Sequence, residues 1–228
     1  MKKLRFYLNK NLDKFMALQF IDIKAGGVDF GNSIIKDHLK LKNIRDFNQE
    51  KRKKIINQYF DNYYKKNNSV LIKKLLLIRE KWKEKENNFF KITQKIFGGF
   101  EFKKGMYIGY ISIIDCNPRF LESKTFQVFY KKNIDEAVYV IAHELLHFIF
   151  FDYFNEKIKI DITEEKLWDL SEIFNIVVLE SDYFKEIINK KYIKPYPEHK
   201  KYLSIFRKLF KDSKNIKDFI TRGINLIN

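Results

Sequence analysis

The run from Ala137 to Phe151 constrains this chain more than any other stretch, because it is strongly apolar and yet carries His143, Glu144 and His147 in its middle. Two imidazoles and a carboxylate do not belong on an apolar segment without partners, since burying such groups uncompensated costs several kcal/mol. The run is also shorter than the roughly 20 apolar residues that cross a bilayer. It therefore reads as a buried helix built around a polar centre. Its start is encoded locally: Asn133 can cap the helix, and Glu136 can reach back to the amide of the cap.

Residues four apart on a helix share a face about one turn from each other, so His143 and His147 can aim their rings at one ion. The pattern His143-Glu144-Leu145-Leu146-His147 is a zinc-binding one, with Glu144 beside the first histidine as general base rather than ligand. A catalytic zinc takes three protein ligands and keeps one position open. Of the four histidines only His38 and His199 remain, and none lies just after His147. A carboxylate is expected instead, from a second helix that Thr163 can cap and that runs to about Ser181. Among Glu164, Glu165, Asp169, Glu172 and Glu180, the residue of choice is Glu172, which lies mid-helix among apolar neighbours. Glu164 and Glu165 sit in the first turn, where acids favour the helix dipole.

Asn175, close behind Glu172 on the same helix, is placed to orient a ligand histidine through a hydrogen bond. Stabilising an oxyanion on a substrate calls for a further donor. His199 is taken over Tyr183, Tyr192, Tyr196 and Tyr202 because histidine is rare in this chain. Cys116 reads as a small buried hydrophobe.

The rest of the chain supports a folded setting for this centre. Its 228 residues suit one domain, and 45% hydrophobic and 17% aromatic residues exclude a disordered chain. Apolar residues recur at helical spacing from Phe47 to about Lys66 and from Ser69 to about Phe97, which predicts two long helices ended by Gly98-Gly99. Residues 100–130, rich in β-branched and aromatic types, predict a sheet of about three strands. Amphipathic helices follow near 198–210 and 216–227, and residues 1–47 give no clear pattern. The expectation is an α+β fold, mostly helical, with a catalytic core at about 70–182, an N-terminal helical extension at 1–69 and a C-terminal helical tail at 183–228.

A single cysteine cannot form an intramolecular disulfide and fits a reducing compartment. Met1-Lys2-Lys3-Leu4 begins like an export signal, but Asn9, Lys10, Asn11 and Asp13 interrupt the apolar core it would need. A cytoplasmic location with no membrane partner is the expectation. The net charge of +16 admits nucleic acid as a partner. Lysine is spread along the chain and arginine, the better phosphate fork, is scarce, so that partner is not favoured.

The His143–His147 motif followed by a helical glutamate resembles the gluzincin zinc peptidases, and the small size resembles the minigluzincins among them. The order of a backing helix, a small sheet, an active-site helix and a glutamate helix matches over roughly residues 70–182. The resemblance implies a zincin-like fold and a zinc metalloendopeptidase acting on a peptide or protein substrate. It assigns one catalytic Zn2+ to His143, His147 and Glu172, and assigns substrate binding by strand addition to the strand at Thr125–Tyr130. Ile176 departs from the thermolysin pattern, which carries an acidic partner there. More distantly the motif resembles the ImmA/IrrE group, regulatory proteases of repressor proteins. A zinc-holding domain without turnover is the reading from another class.

Overall fold

The computed structural model describes residues 3–227, so Met1 and Lys2 of the lysine-led start lie outside it. Contacts gather into two compact units, one made of residues 4–80 and 106–137, the other of 81–105 and of the chain from Val138 onward. These units do not follow the boundaries expected near 69 and 182.

The first unit is organised by a four-stranded sheet. Strand β1 (Lys3–Leu8) alternates, with Leu4 and Phe6 buried and Arg5 and Tyr7 exposed, the period of a half-buried strand. Helix α1 (Lys10–Phe20) starts where the Asn9 side chain accepts from the Leu12 amide at 3.0 Å. A short hairpin of β2 (Lys24–Ala25) and β3 (Val28–Asp29) leads into α2 (Phe30–Asp37), capped by Asp29. Arg45 ties this corner together, donating to the Ile21 carbonyl at 2.7 Å and pairing with Asp29. The N-terminal segment is helical through α1 and α2 and also supplies a strand to the sheet. Its short strand and hairpin were hidden because so few residues carry no readable period.

The remaining strands are β4 (Met106–Ser112), β5 (Arg119–Phe120) and β6 (Thr125–Phe129), in the order β1-β4-β6-β5. β4 and β6 run parallel, while β5 pairs with β6 antiparallel. At Gly109 a side chain would come within 2.7 Å of the Phe6 ring and 3.2 Å of Phe126, so β4 has glycine where two aromatics close over the strand. The assignment of Thr125–Tyr130 as a free edge for substrate is corrected here. β6 is buried along its length and flanked on both sides. Beyond β5, its Gln127 amide donates to the Pro118 carbonyl at 2.9 Å and its Phe129 amide to Asn117 Oδ1 at 3.0 Å.

Asp13 of α1 is buried in this unit and accepts from Tyr64, Ser112, Gln127 and the Ile113 amide at 2.6–3.0 Å. Burial pushes its carboxyl up to about 6 against the pull of those donors.

Helix α3 (Gln49–Ile96) runs unbroken for 48 residues from the first unit into the second. The two helices expected on either side of Asn67-Asn68-Ser69 are one. Asn and Ser lower helix propensity by only a few tenths of a kcal/mol each, and the Asn67 side chain donates back to the Tyr63 carbonyl at 2.8 Å without interrupting the ladder. Gly98 and Gly99 end it, both at positive φ (+61° and +89°), where a side chain would be strained.

The second unit is helical. Helix α4 (Ile134–Tyr153) begins at Asn133, whose side chain accepts from the Glu136 amide at 2.9 Å. A π turn at Phe154–Ile158 ends it, with Lys159 left-handed at φ +55°. By length and composition Ile134–Ile158 could cross a membrane, but 83% of its apolar window is buried inside the protein, as in a core helix. Helices α5 (Glu164–Glu180), α6 (Lys200–Asp212) and α7 (Ile216–Ile224) complete the unit. Phe174 of α5 is its packing centre, touching Phe97, Phe150 and Phe219 with ring centroids 4.8–5.8 Å apart. The architecture is α+β, mostly helical with a small mixed sheet.

Candidate metal centre

Everything that forms the centre lies in the second unit. α4 carries Tyr139, His143 and His147 at intervals of one turn, and α5 packs alongside it with Glu172 turned inward. Thr163 starts α5 by accepting from the Lys166 amide at 3.3 Å, and the helix is buried from Leu170 to Leu179. Asn175 fastens the two helices, its side-chain amide donating to the His143 carbonyl at 2.9 Å. Asn175 thus makes the hydrogen bond to a ligand histidine expected of it, and makes it to the main chain of that residue.

His143 Nε2 stands 3.1 Å from Glu172 Oε2 and 3.0 Å from His147 Nε2, and His147 Nε2 stands 3.3 Å from Glu172 Oε1. Three donors bound to one ion at about 2 Å in tetrahedral directions are themselves about 3.3 Å apart. Here the two imidazole nitrogens are 3.0 Å apart and each meets a different oxygen of Glu172, and one ligand atom from each residue lies within 4.8 Å of the others. Two imidazole nitrogens and a carboxylate converge here, and a cation can take a lone pair from each. The group can hold a metal ion. His147 and Glu172 are buried and His143 is 13% exposed at its side chain, so access is from the side of His143.

Burial works against the charge of Glu172, yet the two imidazoles, His147 first, outweigh it and hold the carboxyl well below the usual carboxylate range. Glu144 is buried at 5% exposure, next to His143 in the chain. Tyr139, which the motif alone did not single out, places its hydroxyl 3.5 Å from His143 Nδ1. Burial, together with the charges of Glu172 and Glu144, raises its phenol far above the usual range and keeps it protonated. A signal for it existed in the four-residue spacing that places Tyr139, His143 and His147 on one face.

The other acids of α5 have other partners. Asp169 receives His199 Nε2 at 2.7 Å, and Glu180 takes a two-pronged contact from Arg207 at 2.7 and 2.8 Å. Glu164 and Glu165 occupy the first turn. His199 is buried between the rings of Trp168 and Tyr196, at 5.2 and 5.6 Å, and the three-donor group forms without it. His38, in the other unit, is buried with its Nε2 2.8 Å from the Ile113 carbonyl. Cys116 is a buried free thiol, pushed up by burial. No protein-family model matches the chain, and no curated protein or solved structure matches it either.

Proposed function

We propose that the chain is a zinc-dependent hydrolase of the peptidase class, with a zincin-like arrangement of its active-site and glutamate helices. The observation that carries this reading is the convergence of His143, His147 and Glu172, whose Nε2 atoms stand 3.0 Å apart and 3.1 and 3.3 Å from the two carboxylate oxygens, with Glu144 next to the first ligand in the chain. Its donor set of two nitrogens and one carboxylate suits zinc with an open position.

When bound, zinc supplies Lewis acidity toward a carbonyl and lowers the pKa of water in the open position to about 7. The residues do the rest. Glu144 takes a proton from the attacking water on its carboxylate and returns it to the leaving nitrogen. Its burial removes competing solvent and strengthens that exchange. Asn175 holds the helix turn from which His143 projects.

The burial of His147 and Glu172 supports a second reading, in which zinc holds α4 and α5 together without turnover. One experiment separates the two. Zinc per chain is measured in protein purified without added metal, alongside cleavage of a denatured protein substrate. One zinc is expected in the wild type and in Glu144→Gln, and none in His147→Ala or Glu172→Ala. Cleavage by the wild type that Glu144→Gln abolishes establishes the hydrolase, whereas zinc with no cleavage in either selects the structural role. Absence of zinc from reconstituted wild type overturns both.

A further inference from the structure

We infer that Tyr139 is a positioning residue for the metal: it accepts the Nδ1 proton of His143 and so holds that ring in the tautomer able to bind through Nε2. The inference rests on the metal reading above. A neutral imidazole carries one proton, and a ring that gives its Nε2 lone pair to an ion carries that proton on Nδ1. Nδ1 of His143 faces the Tyr139 hydroxyl at 3.5 Å, one helical turn earlier on α4. The two rings are tilted at 52° with centroids 5.7 Å apart, and the imidazole atom that the phenol oxygen meets is Nδ1.

The setting gives the contact its effect. Tyr139 is 7% exposed, so it presents this oxygen from a buried side chain. Partners of this kind orient a ligand ring and fix its tautomer, and their loss typically weakens metal binding 10- to 100-fold. In ordinary zinc sites a carboxylate or carbonyl takes that proton. Here a tyrosine on the same helix does so, and the four-residue spacing of Tyr139, His143 and His147 makes the orienting group and both nitrogen ligands parts of one helix face.

The test is zinc affinity of the full chain, by competition with a chromophoric chelator, with far-UV circular dichroism of each metal-free protein as the check on folding. Tyr139→Phe keeps the ring and removes the oxygen; it is expected to bind zinc about 10- to 100-fold more weakly than wild type. Tyr139→Gln, whose amide oxygen can accept, is expected to recover part of that loss. Tyr153→Phe, a buried ring that packs on Phe97 and Phe100, is expected to match wild type. Equal affinity of wild type and Tyr139→Phe overturns the inference and leaves the metal site standing; a wild type that takes no zinc overturns both. The wild type also answers without substitution. In zinc-loaded protein, nitrogen-detected exchange is expected to show a slowly exchanging proton on His143 Nδ1, and rapid exchange of that proton with water overturns the assignment.

Discussion

At the scale of single residues, the buried carboxyls of Glu172 and Asp13 are satisfied by different routes. Glu172 keeps its charge because two imidazoles outweigh burial. Asp13 is surrounded by four neutral donors, and burial still raises its carboxyl to about 6 from 3.8. A carboxyl whose folded pKa lies above its unfolded value binds more protons in the native state. Its contribution to stability is therefore full below about pH 4 and is lost as pH rises through 6. Two pKa units correspond to roughly 3 kcal/mol. Urea titrations of wild type and Asp13→Asn at pH 4.5, 5.5 and 7 should show the gap between the two changing over this window and constant above it. At pH 4.5 the variant should be less stable by about 1–3 kcal/mol, because its amide cannot accept from all four donors, and the gap should narrow as pH rises through 6. A gap independent of pH would show that Asp13 is ionised in both states.

Among the elements, α3 shows how far periodicity overrides composition. Buried Phe60, Tyr64, Leu71, Ile78 and Trp82 mark one continuous face across Asn67-Asn68-Ser69, so packing on both sides keeps the turn between them helical. Asn68 and Ser69 are exposed. In a continuous helix, Ser69→Ala should stabilise the protein by a few tenths of a kcal/mol, and Asn68→Pro should cost about 3 kcal/mol or more. Thermal unfolding of the two variants checks this. A proline tolerated at 68 would mean that two helices meet there. The same reasoning explains why Gly98-Gly99 was readable as a stop. No side chain is needed at those positions, whereas positive φ at both is required.

For the whole molecule, stability comes from packing and, in the proposed reading, from metal. The only cysteine is a free buried thiol. An ion bound by the native state alone adds about 2.7 kcal/mol when its free concentration is a hundred times Kd. Zinc should therefore raise the thermal midpoint of the wild type and leave Glu172→Ala where it was. Lowering the pH to about 5 should abolish the rise, because the histidines must lose their protons before they can bind. A wild-type midpoint that does not respond to zinc at pH 7 would remove metal from the account of stability.

What the sequence determined by itself is what a few neighbouring residues can encode. The spacing of His143 and His147, the caps at Asn133 and Thr163, the stop at Gly98-Gly99 and the buried character of α4 all depend on contacts within one or two turns. The tertiary structure decided the questions that depend on which faces meet. Glu172 rather than Asp169 or Glu180 joins the histidines because α5 packs with that face toward α4, a contact between residues 29 apart in the chain. His199 went to Asp169 for the same reason, and β1 entered the sheet through a partner far along the sequence. Helical period states which residues share a face; only long-range packing states what that face will meet.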